Sequence, residues 1–223
     1  MNKKKSYAII GASSKISEEL THILDKKNLN YTLFGRDRCE NSIDAINFSD
    51  NDFEKILNCE ASHYLFNLGV LHNNRLMYQT KSEIVDSLLV NLIFPVACID
   101  RLLSKKPEIK VVILGSESGI KGSFDTTYFL AKAALRAYVR ERSISYPNQS
   151  LLLLSPSTIE DASMTTSRKD QDRLAEYKSM HPKKRFLTSY EVANAIFDLF
   201  AMSDYFTNTE LELTGGKLAR MKY

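Results

Sequence analysis

Tyr128 and Lys132 stand four positions apart in "YFLAK", a spacing that puts both side chains on one face of a helix. An ammonium beside a phenol favours the phenolate and draws a pKa that starts near ~10 toward the range useful for proton transfer. Such a pair can protonate a developing alkoxide. By composition alone about one Tyr-x-x-x-Lys is expected by chance, so position has to decide. Among the eleven tyrosines only Tyr128 has a lysine four residues on, and it lies just beyond the strand-loop "ILGSESG" at 113–119.

The elements that must carry this pair alternate. Short apolar or β-branched runs predict seven strands, at Tyr7–Ile10, Tyr31–Phe34, Ala45–Phe48, Tyr64–Leu68, Val111–Leu114, Leu151–Leu154 and Leu211–Leu213. Between them, apolar residues recurring at three and four predict helices over Ile16–Lys27, Asp52–Asn58, Glu83–Leu103, Tyr128–Ser145 and Tyr190–Met202. Runs such as "KVVIL" and "LLLLS" are apolar at consecutive positions, as expected where helices cover both faces of a sheet. The pattern predicts an α/β, Rossmann-type, doubly wound, seven-stranded parallel sheet. Only about ten residues separate the second and third strands, which leaves no room for a full helix there. The polar stretch 157–188 has little apolar periodicity and follows a strand end, where such sheets place a substrate lid.

Composition narrows the class. A chain of 223 residues makes one domain most economically. Its 30 Lys and Arg against 27 Asp and Glu give a thin net charge of +3, which does not suggest nucleic-acid binding. Cys39, Cys59 and Cys98 form no CxxC pair and indicate neither a disulfide framework nor a zinc cluster. His22, His63, His72 and His181 show no ligand spacing, so no metal site is assigned. The basic start is followed by too short an apolar run for a signal peptide, and the run Leu92–Ile99, broken by Pro95, falls short of the ~20 residues that span a bilayer. The expectation is a soluble, cytosolic protein without a membrane segment.

Several pieces then occur in one order. They are "GASSKIS" at 11–17, "NLG" at 67–69, Asn91 in "LLVNLIFPVA", Ser116 in "ILGSESG", the Tyr128/Lys132 pair, "SPST" at 155–158, "SYEVANAIFDLF" and a closing "LTGGK". In this order the chain resembles a compact short-chain dehydrogenase/reductase nearly end to end, of the kind typified by 3-oxoacyl-acyl-carrier-protein reductases. The resemblance implies a catalytic set of Asn91, Ser116, Tyr128 and Lys132. Tyr128 is then the general acid/base, and Lys132 lowers its pKa and binds the nicotinamide ribose. Ser116 hydrogen-bonds the reacting oxygen, and Asn91 supports a water and lysine proton relay. Ser118 competes for the serine role, and either serine can be a plain turn residue.

The resemblance also implies NADP(H), with NAD(H) as the alternative, at the first strand-helix turn. The carried-over contacts are Gly11, Ser13, Ser14, Lys15 and Ile16; Arg36, Asn47 and Phe48; Asn67, Leu68 and Gly69; Tyr128 and Lys132; and Pro156 and Ile159. Arg36 suits a 2′-phosphate where an acidic residue would suit a ribose hydroxyl pair. Asn47 stands where the family often has an aspartate contacting adenine. Lys15 and Ser17 replace the second and third glycines of the family motif. Ser17 is small enough to affect only local packing. Lys15 either blocks the pyrophosphate or turns outward and sets an ammonium near phosphate; the small-residue turn before it favours the second.

The expected function is carbonyl/alcohol interconversion on a small-molecule substrate by a homodimer or homotetramer. The alternative is a nucleotide-binding regulator that kept the fold and lost catalysis. An epimerase or dehydratase would need a larger C-terminal domain. The cluster "HPKKR" at 181–185 reads as a solvated face, with an acyl-carrier or nucleotide-linked substrate as a further suggestion.

Overall fold

The computed structural model describes residues 5–36, 39–72, 74–168 and 170–219; the basic start at 1–4 lies outside them. In chain order the elements are β1 (Ser6–Ile10), α1 (Lys15–Lys26), β2 (Asn30–Gly35), β3 (Asn41–Ser42), α2 (Asp50–Leu57) and β4 (His63–Phe66). Then follow α3 (Lys81–Leu88), α4 (Phe94–Lys105), β5 (Glu108–Leu114), α5 (Ser118–Lys121), α6 (Thr126–Glu141) and β6 (Asn148–Pro156). The chain continues through α7 (Ser163–Thr166), α8 (Gln171–Met180), α9 (Ser189–Ala201) and β7 (Thr209–Leu213). The strands form one sheet in the order β3-β2-β1-β4-β5-β6-β7, and every pairing is parallel.

Consecutive apolar residues divide between two cores because side chains alternate across a strand. Ile9, Leu65, Val112, Leu152 and Leu154 pack with Leu20 and Leu24 of α1 and with Val192 and Ile196 of α9. Ala8, Ile10, Tyr64, Phe66, Val111, Ile113 and Leu153 pack on the other face with Phe53, Phe94, Ile99, Leu102 and Leu135. The winding direction changes between β1 and β4, the kind of switch point outside whose carboxyl ends such sheets place a ligand.

Two expected elements are corrected. The third strand is not Ala45–Phe48 but the two-residue β3. The Asp44 carboxylate accepts the Ile46 amide at 2.8 Å and the Asn47 amide at 3.2 Å, a local turn that competes with ladder pairing. The apolar run reflects core contact instead, since Phe48 stacks near Phe53 and Phe94 at 5.3 and 5.4 Å. The expected helix Glu83–Leu103 is also interrupted, by a π-helical stretch at Leu89–Ile93. Pro95 has no N–H to donate to the Asn91 carbonyl one turn back, and the Phe94 amide reaches Leu89 instead. Among the described residues no helix lies between β2 and β3, and α7 and α8 occupy the polar stretch 157–188.

The helical segment Lys81–Lys105 is long and apolar enough by itself to cross a bilayer, with mean hydropathy 1.7. In this fold Phe94, Cys98, Ile99, Leu102 and Leu103 of that segment pack into the sheet's core.

His63 of β4 is buried between Tyr7 and Phe200, with ring centroids at 5.0 and 5.3 Å. Burial, aided by Lys5 and Lys110, brings its pKa from 6.5 down to about 4. Between those values the unfolded chain binds the extra proton, so the stability present above pH 6.5 is lost as pH falls toward 4. The urea midpoint should drop over this window by an amount equivalent to on the order of 3 kcal/mol. His63→Phe should flatten that part of the pH profile.

Candidate active site

The first turn sets one end of the site. Gly11 has φ +104°, and a Cβ there would lie 2.2 Å from the Asn67 carbonyl oxygen. Only glycine lets β1 and the end of β4 approach this closely. Ser14 caps α1, its hydroxyl accepting the Ser17 amide at 3.1 Å. The free amides of a helix N-terminus, with the positive end of its dipole, suit an anion.

Ser17 does more than fill the place of a glycine. It is fully buried; its hydroxyl donates to the Gly11 carbonyl at 2.8 Å and accepts the Asn67 amide at 2.9 Å. Asn67 also donates to the Ser14 hydroxyl. The turn is thereby pinned to the end of β4 by side-chain hydrogen bonds. Lys15 turns along its own helix, pairing with Glu18 at 3.1 Å and Glu19 at 3.4 Å.

A cavity of about 410 Å³ runs from this turn across the carboxyl ends of the strands. Gly11, Ser13, Ser14, Lys15, Ile16 and Arg36 line one part, and Asn67, Leu68, Gly69, Ser116, Tyr128, Lys132, Pro156 and Ile159 line the rest. Fourteen of the residues chosen from the sequence therefore share one cavity. Three do not line it. Asn47 and Phe48 are replaced on the wall by Asp44, Ala45 and Ile46, because the Asp44 turn directs the Asn47 side chain back to its own carboxylate at 3.1 Å. Asn91 is completely buried, accepting the Val70 amide at 3.1 Å and donating to the Val70 and Ser87 carbonyls at 2.9 Å each. It holds a cavity-wall residue from behind.

Tyr128 begins the second residue pair of α6, whose N-cap is Asp125. The Asp125 carboxylate accepts the Tyr128 amide at 3.0 Å, the Gln79 side chain at 2.8 Å and the His72 amide at 2.7 Å. The loop after β4 is thus tied to the start of α6. The Lys132 ammonium, 3% exposed, donates to the carbonyls of Leu114 at 2.9 Å and Leu68 at 3.3 Å, and sits 5.7 Å from the Tyr128 ring centre.

This geometry corrects the expected effect of lysine on the phenol. Burial pushes the Tyr128 pKa above its ordinary value; a hydrogen bond with Ser116 opposes the rise and Asp125 adds to it. Burial also brings Lys132 down to about 8. A dry environment disfavours both charges, and the ammonium faces two backbone carbonyls. The phenol is consequently held in its protonated form.

The stretch 157–188 walls the cavity through Ser157, Thr158, Ala162, Met164 and Arg168. The Met164 methyl would lie 2.8 Å from a Cβ at Gly69, so α7 reaches across to the β4 loop. Val70, Leu71, Asp44 and Glu117 also line the cavity without having been selected from the sequence. Only Glu117, between the two candidate serines, stood in a motif that could have drawn notice.

A scan against models of protein families finds no match, and a search among curated proteins finds none either. Solved structures do match over nearly the whole chain. A short-chain dehydrogenase/reductase from Brucella melitensis, described as a glucose/ribitol dehydrogenase, superposes with a TM-score of 0.85 at 19% identity, covering 96% of each chain. This chain has the short-chain dehydrogenase/reductase fold. Thermoplasma acidophilum aldohexose dehydrogenase matches with a TM-score of 0.79 at 17% identity, over 99% of this chain and 97% of that one. ElxO, solved with NADP bound, matches with a TM-score of 0.81 at 17% identity, over 98% and 100%.

Ser17→Ala should cost about 1–3 kcal/mol of stability, since it leaves the Asn67 amide short of an acceptor. Denaturant unfolding of the variant beside the parent protein checks this.

Proposed function

We propose that the protein is an NADP(H)-dependent oxidoreductase that interconverts a carbonyl and a secondary alcohol on a small molecule. The observation that carries this reading is that Ser116, Tyr128 and Lys132 share one cavity with the N-terminus of α1. The residues fit a dinucleotide: Gly11 admits close backbone approach, and Ser13 and Ser14 present a helix N-terminus to phosphate. Arg36, exposed on the cavity wall, suits a 2′-phosphate. ElxO, bound to NADP in its own structure, supports the choice of cofactor.

When bound, the nicotinamide supplies the hydride that the carbonyl carbon receives. Tyr128, kept protonated by burial, gives its proton to the carbonyl oxygen. Ser116, whose hydroxyl accepts the Ser118 amide at 3.1 Å, orients its own proton toward the same oxygen. Lys132 holds the ends of β4 and β5 together and offsets negative charge as the phenol is depleted. Asn91 acts through Val70, keeping the cavity wall in place. The segment 157–188 serves as the substrate lid. Assembly into a homodimer or homotetramer is supported by the exposed Val85, Ile93 and Leu130 on α3, the π-helical stretch and α6.

Tyr128→Phe should keep NADPH affinity within about twofold and lower kcat by at least 10²-fold on any accepted aldehyde or ketone, the scale of general acid catalysis. Equal turnover in the variant would overturn the role of Tyr128. Arg36→Ala should weaken NADPH binding more than NADH binding, shrinking the ratio of the two dissociation constants. A wild-type protein that binds NADPH yet turns over no carbonyl in a broad screen would favour the regulator instead.

A further inference from the structure

An ion pair stands behind the cavity, on two residues that do not line it. Arg136 lies one turn beyond Lys132 and two beyond Tyr128 on α6, and residues four apart share a helix face. Its Nε donates to both carboxylate oxygens of Glu210 at 2.8 Å each. Glu210 is on β7, the edge strand of the sheet, and its side chain is 4% exposed.

The strand gives no packing reason for a carboxylate at this place. Side chains alternate along β7; Leu211 and Leu213 pack into one core, while Glu210 and Glu212 turn toward Arg136, at 2.8 and 3.9 Å. The register neighbour of Glu210 on β6 is Leu153, a core residue of that second face. A buried ion pair stabilises a fold little more than apolar side chains would. What a charge-assisted contact with both oxygens adds is directional restraint.

The restraint falls on the loop that carries Ser116. The Ser155 hydroxyl, completely buried near the end of β6, donates to Glu210 at 2.8 Å, and a Cβ at Gly115 would lie 2.5 Å from that hydroxyl oxygen. At the other end of the loop Arg136 donates to the Gly119 carbonyl at 3.4 Å, and a Cβ at Gly119 would lie 2.9 Å from the Lys132 carbonyl oxygen. One carboxylate thus braces the loop on both sides of Ser116, against the helix that carries Tyr128 and Lys132.

We propose that Glu210 and Arg136 are positioning residues that set the distance between Ser116 and Tyr128 from behind, without touching substrate or cofactor. This rests on the oxidoreductase reading above.

The hydrogen bond between Ser116 and Tyr128 supplies a signature of that role. It opposes the rise of the Tyr128 pKa caused by burial, so a slackened loop lets that pKa rise further. Asp125, at the head of α6, pushes in the same direction as burial, and Lys132, brought down to about 8, titrates beside the phenol. A change at Glu210 leaves both in place. Carbonyl reduction needs the protonated phenol, so activity is lost as pH rises through its pKa, and a higher pKa moves that alkaline limb upward.

The test follows NADPH loss across pH with cyclohexanone, acetophenone and ethyl acetoacetate. It compares wild type, Glu210→Gln and the paired variant Arg136→Met/Glu210→Leu, which exchanges the ion pair for apolar side chains. Glu210→Gln should lower kcat on the order of 10- to 100-fold, the scale of a small misplacement at a reacting centre. NADPH affinity should stay within about twofold, as the change lies away from the cofactor turn, and the alkaline limb should move to higher pH. The paired variant, checked for folding by circular dichroism, should show the same fall and shift, and it carries the test if Glu210→Gln does not fold. An unchanged kcat in either folded variant, or a fall with the alkaline limb unmoved, overturns the positioning role and leaves the oxidoreductase reading standing. A wild-type protein that binds NADPH and reduces none of the three ketones overturns both.

Discussion

The ammonium of Lys132 bridges two strand ends. It projects from the second turn of α6 into a place with almost no water and reaches the carbonyl of Leu114, the last residue of β5, and that of Leu68, two residues past β4. Both residues line the cavity at the carboxyl ends of the strands. A buried ammonium without acceptors would cost several kcal/mol, so α6 cannot shift without breaking both contacts. Tyr128, one turn earlier on the same face, is placed by the same constraint. The shape of the cavity depends on a lysine that ties two distant chain segments together.

The other end of the site obeys a similar logic with different groups. A backbone carbonyl from Asn67 closes against Gly11, and Ser17 ties that contact to the helix. Where a third glycine would only permit close packing, a serine adds two hydrogen bonds and makes the turn rigid. Lys15, for which the small-residue turn favoured an outward side chain over a blocking one, is drawn along its helix by Glu18 and Glu19 one turn on. Exposed ion pairs of this kind contribute little to stability, yet they orient a long side chain.

Much of this was legible in order and type. The alternation of apolar runs specified a parallel sheet covered on both faces, and Tyr128, Lys132, Ser116 and the Gly11 turn do converge on one cavity. The misplacements share a cause. Ala45–Phe48 has the composition of a strand, but Asp44 offers its backbone a competing turn. Asn91, which the resemblance puts in the catalytic set, is buried behind the cavity wall with its amide held by Val70 and Ser87, the buried partners that an asparagine in an apolar helix requires. The direction of the Tyr128 pKa was misread because a sequence shows which charge is near a phenol and not how dry the phenol is.

By itself the sequence determined the fold class, the connectivity of strand and helix, and most of the residues that line the cavity, because periodicity and side-chain chemistry are local properties of the chain. Tertiary structure alone decided which polar atoms find partners. Glu117 and Ser157 are forty residues apart, and only the pairing of β5 with β6 brings their loops together and leaves an oxygen of each unmatched. Burial and hydrogen-bond satisfaction depend on neighbours contributed by distant segments, and no spacing along the chain encodes them.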